Sequence, residues 1–380
     1  IGFEDENYDE SQYQEMVSDH LKTDHSAFKC TDKNIAEILL DVIWHTEKPL
    51  LRTAPAPLYL LSKLVSDSGY KVVLTGEGAD EFFCGYNIFK ETKVRCFNAQ
   101  QPESTLRPRL FERLYPYLDT KKDRNNRFWG SFFKKGLLDT HDPFYSHRIR
   151  WQNNAFIVQF LSDDAINQID DYDPVQELSN RLQSDLENLS PISRAQFLEV
   201  YIFLGNYLLS SQGDRMLMSH AVEGRFPFLD RKVIEFANRL SPTLKLKGLK
   251  EKWILKKAFT DALPSAVVNR DKQPYRAPIK NLFSSNKEMV GDFVSTSRIS
   301  QDGIFSHEKV NLLKRKIGLH PDRVSPREEM AWTAILTTEM LNSLFLNRAS
   351  TQLQDHKEQW FVMDHRTNIK ARSFELSYSK

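Results

Sequence analysis

The sequence is short of several things, and each shortage removes a class of function. Three cysteines, Cys30, Cys84 and Cys96, occur in 380 residues. They are neither dense enough for a disulfide scaffold nor spaced as zinc ligands, so a reducing compartment fits. No charge sign dominates: 52 lysines and arginines face 51 aspartates and glutamates, which gives no electrostatic reason for a nucleic-acid or anionic-membrane partner. No apolar run approaches the ~20 residues that span a bilayer, and no signal-peptide or lipidation pattern occurs. A cytoplasmic protein is the expectation. None of the ten histidines stands at ligand spacing from a cysteine or carboxylate, so His20, His25 and His220 are expected to be structural or surface residues. An initiator methionine is missing as well. The chain opens Ile1-Gly2-Phe3 and its next, acidic run reads like the exit from a strand already under way, the mark of a fragment.

What is present suits an enzyme core. With 40% hydrophobic and 12% aromatic residues, the chain can bury a sizeable interior. Tyr13, Met16, Val17 and Leu21 recur at helical spacing, with Asp9 and Gln12 placed for a capping box. Ile35, Ile38, Leu39, Val42 and Ile43 predict a second helix. A third opens at Pro57, runs through Leu58, Leu61 and Val65, and stops at Gly69. The β-branched run KVVLT, residues 71–75, follows at once and leads into glycine, the pattern of a buried parallel strand.

Residues 97 to about 185 interleave basic and aromatic side chains (LRPRLFERLYPYL, RFWGSFFKKG, RIRW) without strand alternation. They predict a helical insertion whose Arg, Phe and Tyr form core and rim instead of a nucleic-acid surface. From Ser193, the residues Phe197, Leu198, Tyr201, Leu204 and Leu208 mark a long helix, and further helices are expected near 231–240 and 251–260. Ser325-Pro326-Arg327-Glu328 is a capping box with proline at the first helical position, opening a helix to about Phe345. Residues 346–380 read as a polar tail, and no internal repeat is found.

Ligands of open α/β sheets gather beyond the carboxyl ends of the strands, which puts Thr75 to Asp80 where binding chemistry belongs. In TGEGADE, Gly76 and Gly78 let backbone amides approach a ligand, and a helix starting near Gly78 would turn its N-terminus to an anion such as phosphate. Glu77, Asp80 and Glu81 would then share one face. Carboxylates on the phosphate side of such a loop suit Mg²⁺, with Asp80 as the metal ligand. Taken alone, glycines and acids are also the composition of a solvated turn.

The whole run Val72 to Tyr86, VVLTGEGADEFFCGY, resembles the ATP-using site of glutamine-dependent asparagine synthetases. In that family a strand ends in Ser/Thr-Gly-Glu/Asp-Gly and continues Asp-Glu-x-Phe-x-Gly-Tyr. YDESQYQEMVSDHLKTDH, TEKPLLRTAPAPLYLLS, GDRMLMSHAVEGRFPFLDRKVIEFA and KWILKKAFTDALPSAVVNRDKQPYRAP fall in the family's order, so the resemblance covers about 1–96 and 186–345. It implies an α/β fold: a parallel-sheet adenine nucleotide alpha hydrolase-like domain of the PP-loop ATP pyrophosphatase type. That domain would occupy residues 1–345, incomplete at its N-terminus and with a large helical part including the insertion.

The resemblance also implies roles. Ile1 would pack on adenine, Thr75 and Gly76 would touch ATP, Glu77 would meet substrate and support the acyl-adenylate, and Asp80 would hold Mg²⁺. Lys272, in NRDKQPY, matches a lysine facing the reacting α-phosphate. Lys252, in KWILKKA, either adds to that positive field or solvates a helix face. Arg52, in LLRTAPAP, matches an arginine near the substrate end. Asp214, Arg215, Glu223 and Arg225 fall in segments that wall the site. Asp214 is counted among the substrate residues, and a buried Glu–Arg pair that positions the wall is an equal reading. Cys84 stands where the family commonly has glycine and reads as a packing residue.

The implied activity is ATP-dependent amide formation. The side-chain carboxylate of aspartate, or a related carboxylate, attacks the α-phosphate of MgATP, and glutamine-derived ammonia then displaces AMP to give asparagine. The family's Ser-Gly-Gly-x-Asp-Ser loop occurs nowhere in this sequence, nor does its glutaminase domain with a terminal cysteine nucleophile. The isolated chain is therefore expected neither to bind ATP tightly nor to make product. The alternatives are another acceptor amine, as in β-lactam synthetases or lasso-peptide cyclases, and a binding module that keeps the fold without the chemistry. No nucleic-acid or membrane partner is expected, and a homodimer stays open.

Overall fold

A computed structural model of the chain describes residues 1–4, 9–115, 130–273, 275 and 287–347. The expected insertion thus lies partly outside the described residues, at 116–129. So do residues 276–278 of the last family-like segment and the tail from 348 to 380.

Among the described residues the chain is mostly helical, with two small parallel β pairs in place of one continuous sheet. β1 (Gly2–Phe3) pairs with β2 (Lys29–Cys30), and β3 (Val72–Leu74) pairs with β4 (Glu223–Arg225), Val72 opposite Glu223 and Leu74 opposite Arg225. The strand expected at 71–75 is parallel, but it is not buried: Val72 is 40% and Leu74 69% exposed. Its partner β4 contributes only Glu-Gly-Arg, which has no apolar surface to close over them.

Helix α1 (Ser11–Leu21) opens without the Asp9–Gln12 box. The Asp9 carboxylate instead accepts from the Ser11 hydroxyl at 2.7 Å and from the Phe3 amide at 3.2 Å, tying the helix to β1. The capping box belongs to α2 (Asp32–Thr46): the Thr31 hydroxyl accepts from the Asn34 amide at 3.0 Å and the Asn34 side chain accepts from the Thr31 amide at 3.1 Å.

Ile35, Leu39, Val42 and Ile43 of α2 are fully buried against Trp332, Ile335 and Leu336 of the helix Pro326–Leu341, which forms the main core. Each such side chain contributes about 1.5–3 kcal/mol. The Ser325–Glu328 box forms as expected, the Ser325 amide donating to Glu328 at 2.9 Å. Thr337 on this helix accepts from the Leu50 amide at 2.9 Å, so the two ends of the described chain share one core.

α3 (Pro55–Asp67) begins two residues before the expected Pro57. The helix Pro191–Leu198 runs on into a π-helical stretch, Glu199–Asp214, and then into Arg215–Met218. Wide winding of this kind is rare and concentrates at functional sites. Here it packs against β4 and ends on Asp214. Within 97–185 the helices Tyr145–Asn154, Asp163–Ile169 and Pro174–Leu186 are present. Phe111 and Phe133 stack at 5.0 Å in a buried cluster with Val94 and Leu114. Among the described residues no helix is long and apolar enough to cross a membrane.

Candidate active site

The site starts where β3 ends. The Thr75 amide donates to the Arg225 carbonyl at 2.9 Å, extending the β3–β4 pairing by one bond before the chain turns away. Gly78 adopts φ 91°, a region in which a side chain is strained, and a Cβ there would also strike Leu229. The helix that follows, α4 (Ala79–Phe82), is one turn long. The positive field of a helix N-terminus expected here is therefore small, and the positive charge comes from side chains.

Those side chains converge on Asp80. Lys252 Nζ lies 2.9 Å from Asp80 Oδ1, and Lys272 Nζ lies 3.3 Å from Oδ2. Burial works against charge on Asp80, but Lys272 and Lys252 outweigh it and hold the carboxyl below its usual range. Lys252 thus belongs to the site's charge cluster rather than to a solvated helix face: its own backbone, at φ 50°, forms the N-cap of the helix Trp253–Ala258. Gly85 makes the packing possible, because a Cβ there would overlap the Asp80 carboxylate and the Lys252 stem.

The neighbouring Cys84 has φ 56° and is fully buried. This left-handed geometry gives a physical reason for glycine at the matching family position. Burial pushes the Cys84 thiol up to about 12, which suits packing and not attack.

The expected acidic face is only partly assembled. Glu77 accepts from the Thr75 hydroxyl, and its charge, after burial, helps raise the Asp214 carboxyl above its usual range. Glu81 turns the other way: it is 1% exposed and accepts from the Tyr86 hydroxyl at 2.7 Å, with burial raising its carboxyl. It is a core residue because α4 turns that face inward, packing Phe82 and Phe83 against Leu204 and Leu208.

The other expected residues spread along the wall. Arg52 points its Nη2 at Met330 Sδ, 3.5 Å away, and its charge acts on the Tyr207 hydroxyl. Arg215 pairs with Glu47 at 2.9 Å and donates to the His45 carbonyl. Glu223 and Arg225 do pair, at 2.8 Å, but both side chains are 60% exposed, so the buried-pair reading is corrected. Ile1 precedes β1 and packs on the main core, its carbonyl accepting from Gln14 at 3.0 Å. It belongs to the other β pair from Thr75 and Gly76. His220 is structural, lying 2.7 Å from the Ser62 hydroxyl, and His20 and His25 are exposed.

Asp80 and Glu77 offer hard oxygens of the type Mg²⁺ prefers, yet no group of three or more His, Cys, Asp or Glu residues that could hold a metal exists among the described residues. A Mg²⁺ ion fits only in the way a nucleotide-borne ion does, on one or two carboxylates with phosphate and water completing its shell.

Sequence reasoning did not single out Gly85 or Glu251. Glu251 is a fully buried acid inside LKLKGLKEKWILKK, and a lone acid in a lysine-rich run is the one signal that could have marked it.

The sequence profile of the family described as asparagine synthase matches residues 1–343, and the chain belongs to that family. The amidase chry2 of Gibberella zeae is 28% identical over 285 residues, covering 72% of this chain and 42% of that protein. Asparagine synthetase [glutamine-hydrolyzing] 1 of Bacillus subtilis is 25% identical over 315 residues, covering 78% and 45%. The amidase chyE of Penicillium rubens is 27% identical over 299 residues, covering 73% and 42%. The chain spans less than half the length of these relatives.

Proposed function

We propose that the protein containing this chain is an ATP-dependent ligase that activates the aspartate side-chain carboxylate and yields asparagine, AMP and pyrophosphate. The carrying observation is the Asp80 carboxylate held between Lys252 and Lys272 just beyond the carboxyl end of β3. Thr75, Gly76 and Glu77 lie beside it. The proposed setting is a PP-loop-type parallel sheet, of which β3 and β4 form one pair.

In the first step a carboxylate oxygen bonds to the α-phosphorus and the bond to the bridging oxygen of pyrophosphate breaks. Ammonia then bonds to the acyl carbon and AMP leaves. Charge grows on the phosphate oxygens in the first step, and the ammonium groups of Lys272 and Lys252 are the preorganised donors that meet it. Phosphate oxygens compete with Asp80 for both lysines, and engaging them would free that carboxylate for Mg²⁺. When bound, Mg²⁺ supplies neutralisation of the departing pyrophosphate.

Gly76, where an added Cβ would meet nothing within 4 Å, leaves room for the nucleotide against the backbone. The Thr75 hydroxyl donates to the Glu77 carboxylate, which is assigned to the acyl group. Ile1 is assigned to adenine, and Arg52 and Asp214 to the substrate. Ammonia would come from glutamine on a domain outside this chain.

Two of the relatives carry the name amidase, which favours a second reading: the same adenylation with a different carboxylate or acceptor amine. The full-length protein, assayed for pyrophosphate release from ATP, should depend on aspartate and end in asparagine. Release that depends on another carboxylate moves the assignment to the second reading. Lys272→Ala should lower turnover about 10³-fold in protein whose circular dichroism shows the fold intact, and unchanged turnover refutes its role.

A further inference from the structure

One buried carboxylate lies behind the lysine pair. Glu251 is 1% exposed and precedes Lys252 in the chain. Its Oε1 accepts from the backbone amide of Lys272 at 3.0 Å and from Lys256 Nζ at 2.9 Å, while its Oε2 lies 2.6 Å from Lys90 Nζ. Lys256 donates a second bond, to the Arg270 carbonyl at 2.8 Å. The Arg270 guanidinium, in turn, bonds Glu10 and lies over the Tyr13 ring, 4.2 Å from its centroid. Three elements thus meet on one side chain: α5 (Asn87–Ala99) through Lys90, the helix Trp253–Ala258 through Lys256, and the segment 270–272.

We infer that Glu251 is a positioning residue for the proposed adenylating site: without touching the reactants, it fixes the backbone from which both Asp80-binding lysines project. This rests on the reading given under Proposed function. The chemistry requires a carboxylate. Its two oxygens face two ammonium groups and one amide, all donors, and an amide side chain at this position would turn an NH₂ donor against one of them. Burial opposes the charge, but Lys90 and Lys256 outweigh it and bring the Glu251 carboxyl down to about 2, so it is ionised at any working pH.

Removing the charge leaves buried Lys90 without its partner, and Glu251→Ala adds a cavity; the working variants are Glu251→Gln, which keeps the volume, and the pair Lys90→Met with Glu251→Gln, which removes the most buried cation and leaves Lys256 part-exposed and bonded to the Arg270 carbonyl. In the full-length protein, aspartate-dependent exchange of pyrophosphate into ATP should fall about 10–100-fold in kcat, the effect of an ångström-scale misplacement. KM for ATP should change less than about 3-fold, and Glu251→Asp should recover part of the loss. Glu251→Gln should cost less in the Lys272→Ala background than in the unmutated protein, because part of its effect runs through the Lys272 ammonium group. Unchanged kcat, or losses that multiply in the double variant, overturn the proposal. If the unmutated protein shows no carboxylate-dependent exchange, the adenylation reading falls, and amide hydrogen exchange decides the positioning: faster exchange at 270–272 in the Lys90→Met, Glu251→Gln protein supports it, and unaltered exchange overturns it.

Discussion

Two regions of the molecule bury acids, and they treat them in opposite ways. Around the site, Asp80 meets two ammonium groups and Glu251 meets two more and an amide, so both carboxyls are held below their usual range. In the main core Glu339 is fully buried on the helix Pro326–Leu341 and faces Asp302, with Arg298 Nε no closer than 4.0 Å to that aspartate. Burial, then the Asp302 carboxyl, push Glu339 up to about 8. The chain thus sets ammonium groups against Asp80 and Glu251, and leaves Glu339 facing another carboxyl.

The comparison breaks most visibly at Glu339. Its folded value near 8 exceeds the ordinary 4.5, so its contribution is intact below pH 4.5 and is lost as pH rises toward 8. Glu339→Gln should match the parent in stability at pH 5 and exceed it by as much as about 4 kcal/mol at pH 8. Denaturant titrations at the two pH values measure the gap, and a gap that does not widen with pH contradicts the assignment. Glu251 has the reverse sign. With its folded value about 2 against 4.5, its contribution stands above pH 4.5 and fades between there and pH 2. About 3 kcal/mol of acid destabilisation should therefore vanish in the Lys90→Met, Glu251→Gln protein. At the small end, Glu223 and Arg225 pair in solvent, where an ion pair contributes little, so Arg225→Ala should leave the melting temperature nearly unchanged. A large drop would mean that β4 depends on charge, as the buried cluster does.

Legibility in the sequence divided along physical lines. The helices with a clean apolar stripe, Ile35 to Ile43 above all, are where the periodicity puts them. The glycine-rich loop after a β-branched run was equally plain. Family membership followed from that loop and the segments in order around it. What the pattern hid was anything set by contacts distant in sequence. Lys252 and Lys272 are marked by the resemblance, but nothing in the pattern around them shows that both meet Asp80. The exposure of Leu74 depends on which strand lies beside it, and the left-handed backbone at Cys84 is marked by the family's glycine and not by the cysteine itself, an unusual choice for it. Glu339 reads as a solvated helix residue, since nothing local shows that its face of the helix is the inner one.

The parallel pairing of β3 with β4 also sets a timetable. Val72 waits for Glu223, and Asp80 waits for Lys252 and then Lys272, roughly 190 residues later. At translation rates of about 5–20 residues per second that interval is on the order of 10–40 s. During it the acid has no partner and its burial is unfavourable, so the loop stays open to solvent on the nascent chain. The charge cluster therefore assembles well after its loop is made, though ahead of the main core, which waits for Trp332, and a protease or chaperone acting during synthesis meets the TGEGADE loop before its cations exist.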